Sequence, residues 1–193
     1  MGNGALKRAV FLDRDGVVNE AIVRDGKPYP PTPQDLRMVP DASEALQALR
    51  DAGFALFVVT NQPDVARGTG SQADVDAIHA RLSRELPLDG FYVCGHDDAD
   101  RCDCRKPLPG LLTRAAREHG IALPSSYLIG DRWKDIAAGK AAGVAATVFI
   151  DHGYAEHRPQ PAADATVSTL QGAAQWILNR DAHERPDEAV ARS

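Results

Sequence analysis

The sequence predicts an α/β fold: a doubly wound, Rossmann-like parallel sheet with helices on both faces. Two observations carry that expectation. Short apolar runs without polar alternation, at residues 9–12, 54–59, 127–129 and 146–150, read as strands buried on both faces. Between them lie segments with helical spacing, and strand–helix alternation at this interval makes a parallel sheet covered on both sides.

The first strand, Ala9-Val10-Phe11-Leu12, stops at Asp13 and Asp15, with Gly16 free to turn the backbone away. Residues 20–40 hold Pro28, Pro30, Pro31, Pro33 and Pro40, lack helical periodicity, and read as a loop or flap over the mouth of that strand. Asp41 and Glu44 fit a capping box for a helix whose Ala42, Ala45, Leu46 and Leu49 share a face and which Gly53 ends. The strand at 54–59 leads into Thr60-Asn61. Ser71 caps a helix that buries Val75, Ile78 and Leu82, and Phe91-Tyr92-Val93 is a third strand. A helix at 111–119 closes at Gly120, and the strand at 127–129 runs into Gly130-Asp131. A small-residue helix at 136–142, the strand at 146–150, an edge strand at Thr166-Val167 and a helix over about 170–178 complete the order. Residues 1–180 form one domain in this reading, and 181–193 a disordered tail.

Bulk properties narrow the classes of function. The chain has 193 residues, 44% of them apolar and 25% charged, which suits one domain with a sizeable core. A net charge of -5 without a basic block argues against a nucleic-acid partner, and no apolar run reaches the roughly 20 residues that span a bilayer. Residues 1–8 lack the apolar core of a secretion signal, and Leu6 stands where an acylation pattern needs Ser or Thr. The expectation is a cytoplasmic monomer.

Ligands of an open parallel sheet sit beyond the carboxyl ends of its strands, so Asp13, Asp15, Thr60, Asn61, Asp131 and Asp135 converge on one crevice, with Lys106 of Arg105-Lys106-Pro107 added. Several carboxylates, a hydroxyl, an amide and an ammonium suit a phosphoryl group beside Mg²⁺, a hard ion that prefers carboxylate oxygen. One carboxylate can attack phosphorus while its neighbour protonates the leaving oxygen. The partner implied is a small phosphate ester. A receiver-type signalling domain also uses acids, a Thr and a Lys on such a sheet. It carries its phosphorylated aspartate after a later strand, however, and is shorter.

The three cysteines fall within residues 94–104, too clustered and odd in number for a disulfide framework. Cys94-x-His96 and Cys102-x-Cys104 offer a Cys₃His set, the composition of a closed structural Zn²⁺ site, immediately before Arg105 and Lys106. Such a site would pin the loop that presents the lysine.

Asp13-x-Asp15-Gly16, Thr60-Asn61, Lys106 and Gly130-Asp131-x-x-x-Asp135 together resemble the four motifs of haloacid-dehalogenase-type phosphatases, in order, over about residues 9–150. Ala66-Arg67-Gly68 and the cysteine loop narrow the likeness to the zinc-loop subgroup of heptose-bisphosphate and histidinol-phosphate phosphatases. The resemblance implies Asp13 as nucleophile, Asp15 as acid/base, and Thr60 and Lys106 on the phosphoryl oxygens. It implies Mg²⁺ on Asp13, the main-chain carbonyl of Asp15, and Asp131, with Asp135 in support. Asn61, Gln62, Arg105 and Arg132 would meet substrate, and the loop at 21–24 would lie over the site. Pro63-Asp64-Val65 departs from the Ser-Gly-Ile of the heptose enzymes and sets an acid near the entrance. No insertion between Gly16 and Thr60, or between Thr60 and Lys106, could hold a cap domain. Arg24, Arg67 and Arg132 are left between a surface role and binding a remote anion. Trp133 reads as packing against the flap, and His79, His119 and His152 as solvated.

Overall fold

The computed structural model describes residues 6–184. The expectations placed on residues 1–5 and 185–193 lie outside them. The strands are β1 (Ala9–Leu12), β2 (Ile22–Arg24), β3 (Lys27–Tyr29), β4 (Ala55–Asn61), β5 (Gly90–Cys94), β6 (Tyr127–Gly130), β7 (Ala146–Ile150) and β8 (Ala165–Val167). The helices are α1 (Ala42–Asp51), α2 (Asp64–Arg67), α3 (Gln72–Glu85), α4 (Gly110–His119), α5 (Trp133–Ala142) and α6 (Leu170–Glu184). Six strands form one parallel sheet in the order β5-β4-β1-β6-β7-β8. From β1 the chain winds outward through β4 and β5, then returns to β6 on the other side, so the order reverses beside β1. Ligand crevices of such sheets open at that reversal.

The continuous apolar runs follow from two cores, one on each face. Val10, Leu12, Leu56, Val58, Ile129 and Val148 point to the face covered by α1, α3 and α6. Phe11, Phe57, Val59, Leu128 and Phe149 point to the face covered by α4 and α5. Neighbouring residues of a strand point to opposite faces, so a strand clad on both sides must be apolar at every position.

Four local expectations need correction. The proline-rich segment contains an antiparallel hairpin, β2 with β3, pairing Ile22 with Tyr29 and Arg24 with Lys27. Its turn is Asp25-Gly26, at φ 50° and 71°, and two positive φ values are what a two-residue hairpin turn requires. Asp41 does not cap α1. Its Oδ2 instead accepts the Gln171 N–H at 2.6 Å, in the first turn of α6. That helix runs to Glu184, past the expected end at 178 and into the stretch read as tail. His79 is half-buried, stacked on Phe91 with ring centres 4.3 Å apart. Ser71 does cap α3, its hydroxyl accepting the Asp74 N–H at 3.0 Å. Among the described residues no helix is long and apolar enough to cross a membrane.

Candidate active site

β1 delivers Asp13 to the reversal point, where its N–H still donates to the Ile129 carbonyl at 2.9 Å. The chain then winds around the Arg14 carbonyl, which accepts the N–H groups of Val18 (2.9 Å) and Asn19 (3.1 Å). Gly16 sits at φ 90°, and a Cβ there would lie 1.9 Å from Oδ2 of Asp131. Only glycine lets this loop pass so close to that carboxylate. Gly130 plays the same part at the end of β6, where a Cβ would fall 2.2 Å from the Cβ of Asp135.

Lys106 is buried and is the charge hub of the crevice. Its Nζ lies 2.6 Å from Asp13 Oδ1 and 2.5 Å from Asp135 Oδ1, and donates to the Val59 carbonyl at 2.8 Å. Burial opposes its charge, but the carboxylates of Asp13 and Asp135 hold its pKa above the usual lysine value. Asp135 also accepts the Arg132 N–H at 2.9 Å, closing the first turn of α5.

Asp13, Asp131 and Asp135 bring carboxylate oxygens within 4.8 Å of one another. Both oxygens of Asp131 are buried, and the Tyr154 hydroxyl is set against them. Burial pushes the Asp13 carboxyl up to about 6, with Lys106 opposing the rise and Asp135 adding to it. Burial, then the charges of Asp13 and Asp135, raise Asp131 well above the carboxylate norm. Three acids against one ammonium leave an excess of negative charge out of water, which a divalent cation on Asp13 and Asp131 would relieve. Asp15 is not part of that carboxylate cluster. Its side chain faces Arg14, Asn19 and Gln62.

Of two further residues expected at the substrate, Asn61 lines the cavity with its amide held by main chain, and Gln62 does not line it. Asn61 grips the main chain of Lys106 at both ends, donating to its carbonyl and accepting its N–H, each at 3.0 Å. Gln62 is buried and donates to Asp15 Oδ2 (2.8 Å) and the Thr60 hydroxyl (2.9 Å). Asn61 thus braces Lys106, and Gln62 braces Asp15 and Thr60. Thr60, Arg105 and Arg132 do line the cavity above Asp13, a volume of about 250 Å³. Arg105 Nε binds Asp98 at 2.6 Å, and Arg132 is paired with Glu156. Lys27, Pro28 and Tyr29 of the hairpin form one wall of the cavity, while Arg24 lies outside it, over the Tyr29 ring. Asp64 reaches the cavity too, but its carboxylate accepts from the Thr69 hydroxyl at 3.1 Å and faces Arg67 at 3.9 Å. Trp133 packs on His157, with ring centres 4.7 Å apart. His119 is exposed, its ring 4.6 Å from that of Phe57, and His152 hydrogen-bonds the Gly16 carbonyl at 2.7 Å.

Cys94, His96, Cys102 and Cys104 gather at the end of β5. Cys94 Sγ lies 3.6 Å from His96 Nδ1 and 3.7 Å from Cys102 Sγ, and His96 Nδ1 lies 3.3 Å from Cys104 Sγ. Tetrahedral sulfur and nitrogen ligands of one Zn²⁺ stand about 3.5–3.8 Å apart, so the donor set fits that ion. Burial pushes the Cys94 thiol up to about 12, and a cation is what would make it a thiolate.

Sequence reasoning missed Arg14, Tyr154 and Glu156. Arg14 has no exposed surface. Tyr154 lies beside Asp131, its phenol raised first by burial and then by that carboxylate. Tyr154 and Glu156 come from the loop between β7 and β8, where no local pattern marks them. Arg14 was within sight, a bulky cation between two acids.

Comparison with known proteins agrees with this geometry. Residues 31–143 match the model of the haloacid dehalogenase-like hydrolases, a span that holds Thr60, Lys106 and Asp131. The chain is 33% identical over 183 residues to the D-glycero-beta-D-manno-heptose-1,7-bisphosphate 7-phosphatase of Yersinia pestis, covering 89% of each chain. It is 36% identical over 143 residues to the enzyme of that name from Helicobacter pylori, covering 71% of this chain and 80% of the other. Among solved structures, the D,D-heptose 1,7-bisphosphate phosphatase of B. bronchiseptica, complexed with magnesium and phosphate, superposes with a TM-score of 0.73. That pair shares 28% identity and covers 90% of this chain and 99% of the other.

Proposed function

The chain belongs to the haloacid dehalogenase-like hydrolases, and from that membership we propose that it is a phosphatase removing the 7-phosphate of D-glycero-D-manno-heptose 1,7-bisphosphate by way of an aspartyl phosphate on Asp13. The observation that carries the reading is the pairing of Asp13 with Lys106 at 2.6 Å on the floor of the cavity, beside the buried carboxylate of Asp131.

In this reading an Asp13 oxygen forms a bond to phosphorus as the ester P–O bond breaks and its electron pair leaves on the sugar oxygen. Asp15 gives that oxygen a proton, then takes one from the water that cleaves the Asp13–phosphorus bond. The ammonium of Lys106 and the hydroxyl of Thr60 face the non-reacting phosphoryl oxygens and offset their charge. Asp135 holds Lys106 in place from behind, and Asn61 fixes its main chain. Arg105 and Arg132 on the cavity wall meet the rest of the substrate. Asp13, the main-chain carbonyl of Asp15, and Asp131 would hold Mg²⁺, which supplies charge neutralisation at the phosphoryl group. Cys94, His96, Cys102 and Cys104 would hold a structural Zn²⁺ with no open position. The enzyme acts as a cytoplasmic monomer on a small diffusible ester, with neither nucleic acid nor membrane as partner.

Asp64 would repel a second phosphate if its charge stood free, but Thr69 and Arg67 draw it off. A phosphate-release assay with Mg²⁺ tests the assignment. Heptose 1,7-bisphosphate should exceed histidinol phosphate and other sugar phosphates in kcat/KM by about tenfold or more. Preference for histidinol phosphate would overturn the substrate assignment and leave the reaction type intact.

A further inference from the structure

We propose that Arg14, backed by His79, is a positioning residue that aims the Asp15 carboxylate during departure of the leaving group. The inference rests on the reading above, in which Asp15 supplies the proton for that departure.

The side chain of Arg14 is wholly buried, a position that is costly for a charge unless its N–H groups are met. Nε reaches Asp15 Oδ1 at 3.1 Å and Nη2 reaches Oδ2 at 3.0 Å, a two-pronged contact between a planar fork and a carboxylate. On the far side Nη1 meets Nε2 of His79 at 3.3 Å. His79 belongs to α3 and lies flat on Phe91 of β5, with 21° between the ring planes. The guanidinium is therefore clamped between the acid and the body of the fold. Asn19 Nδ2 also donates to Oδ1 at 3.0 Å, and Gln62 Nε2 to Oδ2 at 2.8 Å. A carboxylate that could otherwise spin about its χ angles is fixed by four donor contacts, and the two-pronged one is itself backed by His79 of α3.

The consequence is confined to one proton. As the Asp13–phosphorus bond forms and the ester bond breaks, an alkyl oxygen leaves with an electron pair that must be protonated by Asp15. A phenolate such as p-nitrophenolate departs without that proton. An ill-aimed Asp15 therefore slows alkyl esters and spares the aryl ester. A well-placed general acid contributes about 10²–10⁴ in rate.

The test compares kcat/KM, which covers only the steps up to leaving-group departure, on glycerol phosphate and on p-nitrophenyl phosphate with Mg²⁺ present. Arg14→Lys keeps the charge and loses the fork. It should lower the glycerol phosphate value about 30-fold or more while leaving p-nitrophenyl phosphate within about threefold. His79→Leu should shift the same ratio in the same direction by a smaller factor, and His79→Gln, which retains an acceptor, should restore it. Should Arg14→Lys not fold, the His79 pair decides alone. An equal fall on both esters, or an unchanged ratio in the variants that fold, overturns the proposal. Failure of the wild-type protein to release phosphate from these esters and from heptose 1,7-bisphosphate alike would overturn the phosphatase reading itself, and this inference with it.

Discussion

Replacing Lys106 by Met removes one charge and keeps most of the volume, so the response measures the electrostatics of the crevice. In the native protein the ammonium touches two carboxylates, at 2.6 and 2.5 Å, and a carbonyl at 2.8 Å. Deleting one partner of a buried ionic cluster costs about 3–5 kcal/mol, since the other charges stay behind without compensation. For a domain of this size that corresponds to a fall in melting temperature of about 6–20 °C. The loss must depend on pH, and its sign is fixed by the raised carboxyls. Asp13 already titrates near 6 with the ammonium beside it. A folded-state value above the unfolded one means that the native protein binds more protons, so stability falls as pH rises through that range. Without Lys106 the Asp13 carboxyl should move higher still, and the deficit should be full at pH 8 and less than half as large at pH 5. Calorimetry in Mg²⁺-free buffer without chelator, which leaves the cysteine site undisturbed, checks this. A deficit of equal size at both pH values would refute the electrostatic account and leave Lys106 as a packing residue.

Other expectations follow from single side chains. Asp13→Asn should leave the circular dichroism spectrum and melting cooperativity unchanged and reduce phosphate release by roughly three orders of magnitude or more, as loss of a nucleophile does; normal turnover would remove Asp13 from that role. Cys102→Ser should lower the zinc content measured by mass spectrometry of the purified protein and lower the melting temperature, because metal binding is folding free energy at such sites; unchanged metal content would dispose of the zinc loop. Burial, with Arg14 alongside, lowers His79 to about 4. The stability that its neutral ring supports is present above about 6.5 and lost as pH falls toward 4. Denaturant titration with saturating Mg²⁺ at pH 7 and pH 4.5 should therefore show about 2 kcal/mol less acid-induced loss in His79→Gln than in the wild type; equal losses would mean that the ring is not desolvated.

The layered sheet could be read directly from the sequence because two-sided burial leaves a nearly unbroken apolar signal along β1, β4, β6 and β7. The meeting of Asp13, Thr60, Lys106 and Asp131 was legible for a related reason, since parallel strands all discharge at one edge. Directions of side chains within that edge were not legible. Asn61 stands next to Thr60 in the chain, yet its amide turns to a main chain 45 residues later, a pairing that only the completed fold supplies. Arg14 was passed over because an arginine between two acids looks like a surface residue, while the structure buries it completely. The hairpin within residues 20–40 had a local signal in Asp25-Gly26, masked by the five prolines around it. Asp41 carried the opposite hazard, an acid suitably placed to cap its own helix that serves another.

One feature of β1 joins folding to chemistry. Its two cores are sorted by odd and even positions, Phe11 to one face and Leu12 to the other, and Asp13 is the next step of the same count. Deleting a single residue upstream within the strand would exchange the two faces and swing the Asp13 carboxylate away from Lys106 in the same stroke. Such a frameshift in space leaves no variant that keeps a sound interior and merely misplaces its reactive oxygen. The register that seats the interior is, at this strand, also the register that aims Asp13.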